Sequence, residues 1–151
     1  GIIPMLRMAK SSGMKFLPGN ANVRDQVAAG TLDYGLTDTD DAFAALDENK
    51  PVRMEFLDQD NERGTLLIPN TVALIADAPN PENGKKLIDY LLSPEVEEKL
   101  AESRARQIPV RNDVPRPDNV PSLADIKVMD ANFHEAARQF EDLIEQLRQL
   151  Y

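Results

Sequence analysis

Leu32, Tyr34 and Leu36 alternate with Asp33 and Gly35. The run passes without a break into Thr37-Asp38-Thr39-Asp40-Asp41 and then into the apolar stretch Ala42-Phe43-Ala44-Ala45-Leu46. Alternation with period 2 predicts a strand, and Thr and Asp immediately before an apolar run predict a helix N-terminus. A strand feeding a helix in this way is the building unit of α/β architecture. The pattern recurs. Lys50-Pro51 breaks the helix, after which Val52, Met54 and Phe56 alternate with Arg53 and Glu55 as a further strand. Lys15 to Leu17 reads as a short strand. Thr65–Ile68 and Thr71–Ala76, β-branched and apolar on either side of Pro69-Asn70, read as strands buried on both faces.

Helix signals lie between these runs. Pro4 opens a short helix to Ala9 with Gly13 beyond its end, and Asn22 caps a helix from Val23 to Ala29 that Gly30 stops. Asn80-Pro81-Glu82 starts a helix whose apolar stripe is Leu87, Ile88, Leu91 and Leu92, and Ser93-Pro94-Glu95 repeats the start, with Val96 and Leu100 on one face. Between Gln107 and Pro121 four prolines predict an extended connection over the surface. The clearest element is the last. Phe133, Ala136, Ala137, Phe140, Leu143, Ile144, Leu147 and Leu150 recur at 3/4 spacing behind a capping box of Asn132 and Glu135. Such a stripe faces a core or, alternatively, a coiled-coil partner.

Composition narrows the function classes. The 151 residues make one domain or a large piece of a two-lobed protein. Without cysteine there is no disulfide framework, thiolate nucleophile or Cys-based zinc site, and the single His134 excludes multi-histidine metal sites. Seventeen Lys+Arg against 26 Asp+Glu give a net charge of −9, which repels phosphate backbones and argues against a nucleic-acid partner. No apolar stretch approaches the roughly 20 residues of a membrane span. Gly1-Ile2-Ile3-Pro4 is neither a start methionine nor a signal peptide, so the chain reads as mature or cut down.

Among candidate site residues, Asp38, Asp40 and Asp41 stand out. Three carboxylates this close can coordinate a hard cation, and they sit at the C-terminal end of a predicted strand, where α/β sheets place ligands. They can equally cap the following helix and complement its dipole, and the two readings are compatible. Gly19-Asn20 with Arg24 can hold an anion at a helix N-terminus, or simply make a turn. The Asp58 loop looks at first like a calcium loop, but its glycine is displaced and Pro69 stands where the bidentate Glu belongs. Ser11 and Ser12 lack a base in sequence reach, and His134 reads as a surface residue. No enzyme assembles from these parts.

The stretch Gly35-Leu36-Thr37-Asp38-Thr39-Asp40-Asp41-Ala42 resembles a segment of the iron-type solute-binding proteins of ABC transporters. The resemblance continues through Gly64-Thr65-Leu66-Leu67-Ile68-Pro69-Asn70-Thr71-Val72-Ala73-Leu74-Ile75, then Ala78-Pro79-Asn80-Pro81-Glu82 and Leu87-Ile88-Asp89-Tyr90-Leu91-Leu92-Ser93-Pro94-Glu95. It ends with Ala101-Glu102-Ser103 and Gln107-Ile108-Pro109-Val110-Arg111. Several segments in the right order are more specific than any one motif.

The resemblance implies a class II periplasmic binding-protein fold: two α/β lobes joined by crossing strands, with solute trapped between them and passed to an ABC transporter permease. Such proteins are periplasmic binding modules rather than enzymes, closing by a hinge motion. Residues 1–63 would then be the later part of one lobe, and residues 64–151 the crossover strand and the return with its C-terminal helices. Members are considerably longer than this chain, so pairing or swapping of elements with another copy is expected. Ferric-binding members carry paired tyrosines where Asp40 and Asp41 stand here. Carboxylates are also hard oxygen ligands, so the resemblance puts a metal, iron, on Asp38, Asp40 and Asp41. A synergistic anion falls to Asn20 and Arg24 beside Thr37, and no catalytic cofactor is implied. The alternatives are a receptor for an organic or oxyanion solute, and a structural domain that dimerises through its last helix.

Overall fold

A computed structural model describes residues 2–148, the side chain of Ile2 excepted. In chain order the elements are α1 (Ile2–Ser11), α2 (Asn20–Ala28), α3 (Thr39–Asp47), α4 (Pro81–Leu91), α5 (Pro94–Glu102), a 3-10 turn (Leu123–Asp125) and α6 (Phe133–Arg148). Each helix starts where its local chemistry dictates. Asp38 precedes α3 and accepts from the Asp41 amide, with Asp40 and Asp41 in the first turn. Proline opens α4 and α5, and Ser93 accepts from the Val96 amide. At α6 the Asn132 side chain accepts from the Glu135 amide at 3.0 Å, but the Glu135 carboxylate turns to Arg138 and Gln139, so half of the capping box forms. Helix α2 starts earlier than predicted. Gly19, at φ 98°, takes a conformation open to glycine, and Asn22 donates to the Pro18 carbonyl instead of capping.

The predicted strands are not formed among the described residues. The runs at 15–17, 32–36, 52–56, 65–68 and 71–76 are not assigned to strands, and β-structure reduces to one parallel bridge between Thr65 and Val128. Alternation survives as burial: Val52, Met54 and Phe56 are half-buried while Arg53 and Glu55 are exposed. A ladder needs more, namely a second strand about 4.8 Å away to take the backbone hydrogen bonds. Without one, Tyr34, Leu36, Ile68 and Ile75 stand mostly in solvent.

Among the described residues the buried apolar ones are Phe43 and Ala45 of α3, Val96 and Ala101 of α5, Val114 and Val120 of the proline-rich connection, and Ile126 after the 3-10 turn. That connection is therefore part of the core rather than a surface strap. Helix α2 packs on α3 and α4 on α5. Arg106 sits over the Phe43 ring at 5.2 Å and pairs with Asp47, which fastens the end of α5 to α3. Helix α6 buries none of its described residues; Phe133 and Phe140 are exposed, so a core-facing stripe is not realised, and Leu150 lies outside the described residues.

A clasp joins the polar loop before Thr65 to the approach to α6. Thr65 N donates to the Lys127 carbonyl at 2.8 Å and Met129 N to the Thr65 carbonyl at 2.9 Å. The Gln59 amide donates to Thr65 Oγ1 and the Lys127 carbonyl and accepts from Lys127 N. Gly64 permits the approach: at φ 79°, a Cβ there would lie 2.5 Å from the Lys127 oxygen.

Candidate functional site at the paired N-termini of α2 and α3

Helix α2 comes close to the 32–36 run because Gly35 lacks a Cβ, which would overlap Val23 Cγ1. This places the first turns of α2 and α3 side by side. Asn20 Nδ2 donates to the Asp38 carboxylate, and Thr37 Oγ1 donates to the Asn20 carbonyl at 3.3 Å. Arg24 NH1 reaches Asp41 Oδ1 at 2.8 Å, and its Nε and NH2 hold Asp25 Oδ1. Asn20, Arg24, Thr37, Asp38 and Asp41 are thus one network, and Asp40 joins it through Asp38.

The charges in this network are unequal. Burial pushes the Asp38 carboxyl up, but hydrogen bonds from Asn20, from Asp40 and from the Asp41 amide outweigh it, and Asp38 falls below the ordinary aspartate range. Asp40 is raised, first by burial and then by the hydrogen bond and charge of Asp38. Asp41 is raised too, by burial and then by Asp38, with Arg24 opposing. Asp38 is therefore the first of the three to ionise. Hydrogen bonding to Asp25 raises Arg24, which stays a fixed cation.

No side chain caps α2, so its first-turn N–H groups remain open to a ligand beside Arg24. The arrangement thus sets N–H donors at the start of α2 and Arg24 beside a carboxylate held below the ordinary range at the start of α3. The capping role of Asp38 is realised in full. Among the described residues no group of three or more His, Cys, Asp or Glu is placed to hold a metal ion, and Asp41 is engaged by Arg24.

The Arg24–Asp41 pair joins residues 17 apart, one from the expected anion pair and one from the expected metal set. Its one local signal is the four-residue spacing of Asn20 and Arg24, which places both on one face once the helix begins at Asn20. The other polar candidates lie elsewhere. Ser11 donates to the Arg7 carbonyl within α1, and His134 is exposed on α6.

Residues 5–128 match the family described as bacterial extracellular solute-binding protein. Proteins of Salmonella typhimurium, Salmonella paratyphi A and Salmonella typhi, each named "Putative 2-aminoethylphosphonate-binding periplasmic protein", are 40% identical to this chain over 89 residues. The match takes in 58% of this chain and 24% of each relative, so the chain spans about a quarter of their length. No solved structure matches. Among the described residues no helix is long and apolar enough to cross a membrane.

Proposed function

The chain belongs to the bacterial extracellular solute-binding protein family, and from that premise we propose that it is part of a periplasmic receptor for a small zwitterionic organophosphonate, with 2-aminoethylphosphonate as the reference solute. The observation that carries the reading is the unequal network at the paired helix N-termini. A phosphonate needs N–H donors and a cation, supplied by the open first turn of α2, Asn20 and Arg24. An ammonium group needs an ionised carboxylate, supplied by Asp38, with the Thr37 hydroxyl beside it. Arg24 can turn an edge to the solute because its partner Asp25 is 65% exposed, whereas Asp41 at 19% holds the guanidinium in place.

In the proposed receptor residues 1–63 are the later part of one lobe and residues 64–151 the crossover and return of a class II fold. The exposed runs at 66–68 and 71–76 pair there with strands outside this chain. Solute closes the lobes by contacting both, and the closed form engages an ABC transporter permease. The receptor binds and releases its solute unchanged.

Calorimetric titration with 2-aminoethylphosphonate tests the reading, with ferric iron plus phosphate in parallel. Arg24→Gln and Asp38→Asn each weaken the organophosphonate by about tenfold or more while the helical circular dichroism is kept. Unchanged affinity in both variants overturns the assignment. Iron binding that is lost in Asp40→Asn and Asp41→Asn replaces it with a carboxylate metal site.

A further inference from the structure

The proline-rich connection folds around a hollow of about 180 Å³ lined by Pro109, Arg111, Asn112, Arg116 and Ser122, with Val114 among its apolar walls. The chain carries a net charge of −9, yet no Asp or Glu lines this hollow. Arg111 is fixed at its rim, NH1 on Glu97 at 2.8 Å and NH2 on the Leu92 carbonyl at 2.7 Å. Among the described residues those two bonds leave the Nε–H and one hydrogen on each terminal nitrogen without a protein acceptor. Glu97 balances the Arg111 charge, so the surplus cation at the hollow is Arg116, which makes no hydrogen bond or ion pair among the described residues. The Asn112 amide is likewise unengaged. Ser122 Oγ accepts from the Ala124 amide at 3.2 Å, which leaves its hydroxyl hydrogen to donate.

These donors stand on a stiff frame. Prolines 109, 115, 117 and 121 fix φ through the connection, and Val114 and Val120 anchor it in the core. Little ordering is then required when a ligand arrives. Size selects the ligand. Pockets for drug-sized organic solutes run to about 300–1,000 Å³, so this hollow takes a smaller ligand, and a lining of donors with no carboxylate makes that ligand an anion. We infer that it is a subsite for a small tetrahedral oxyanion of the phosphate type, held by Arg116, Asn112, Ser122 and the free edge of Arg111. It lies on a different part of the chain from the α2/α3 network and does not depend on the receptor reading.

The test is titration of inorganic phosphate into the ¹⁵N-labelled chain, against sodium chloride of equal ionic strength. Phosphate is expected to give saturable shifts at the Asn112, Arg116 and Ser122 amides that chloride does not reproduce. Arg116→Gln, a change at an exposed and unpartnered side chain, weakens them about tenfold, Arg116→Lys restores part of the affinity, and Arg24→Gln leaves it unaltered. Absence of saturable shifts in the unaltered chain overturns the inference. Equal affinity in Arg116→Gln, equal effects of chloride, or a loss confined to Arg24→Gln overturns it as well.

Discussion

Glu97 shows how one carboxylate organises two segments. Its Oε1 accepts from the Val110 and Arg111 amides at 2.6 and 3.2 Å, and its Oε2 pairs with the Arg111 guanidinium. Burial alone would raise this carboxyl, but the bonds from Arg111 and the two amides prevail and hold it below the usual glutamate range. A carboxyl lowered on folding stabilises the fold above its unfolded value, and that contribution is lost as pH falls from there through the folded value. Glu97→Gln keeps an oxygen for the two amides but turns an NH2 towards Arg111 and removes the charge, so it costs about 1 kcal/mol at pH 7, Arg111 being partly solvated. The gap between variant and unaltered chain in urea unfolding narrows below about pH 4.5. A gap that stays constant with pH refutes this account. Asp40 and Asp41, both raised, act in the opposite sense: their contribution is present in acid and lost as pH rises.

Among the elements, two phenylalanines of similar sequence context have opposite fates. Phe43 on α3 is 4% exposed beneath Arg106, whereas Phe140 on α6 is 61% exposed. Phe43→Ala is expected to destabilise by about 3 kcal/mol or more, and Phe140→Ala by less than about 0.5 kcal/mol, read from urea unfolding midpoints. Comparable losses would mean that α6 packs far more tightly than its exposure indicates. The sequence made both helices legible, because a cap, a proline and 3/4 spacing are local signals. It did not reveal which stripe is covered. The runs at 52–56 and 71–76 illustrate the same limit for strands: alternation in the first and a continuous apolar run in the second predict covered faces, while pairing depends on a remote partner that no local pattern specifies. At the site, the Asp38 cap was readable from residue order. The Arg24–Asp41 pair was not, since it exists only once α2 and α3 lie side by side.

Taken whole, the molecule has an accessible surface of 11614 Å², against about 7,600 Å² for a compact monomer of its mass. The excess fits the exposed Leu36, Ile68, Ile75 and Phe140 and the small set of buried residues. Since the urea m-value follows the surface newly exposed on unfolding, it is expected at about three-quarters of that of a compact domain of this length. A full-sized m-value would show that the chain buries these faces in solution.

The clasp at Gly64 has a topological consequence. Gln59 and Lys127 are 68 residues apart yet bonded, so α4, α5 and the phosphate-sized hollow hang on one closed loop. A single proteolytic nick in the exposed run around Ile75 would open that loop without freeing its ends. The two fragments would remain tied through Gln59, Thr65, Lys127 and Met129 and would migrate together until the clasp itself was denatured.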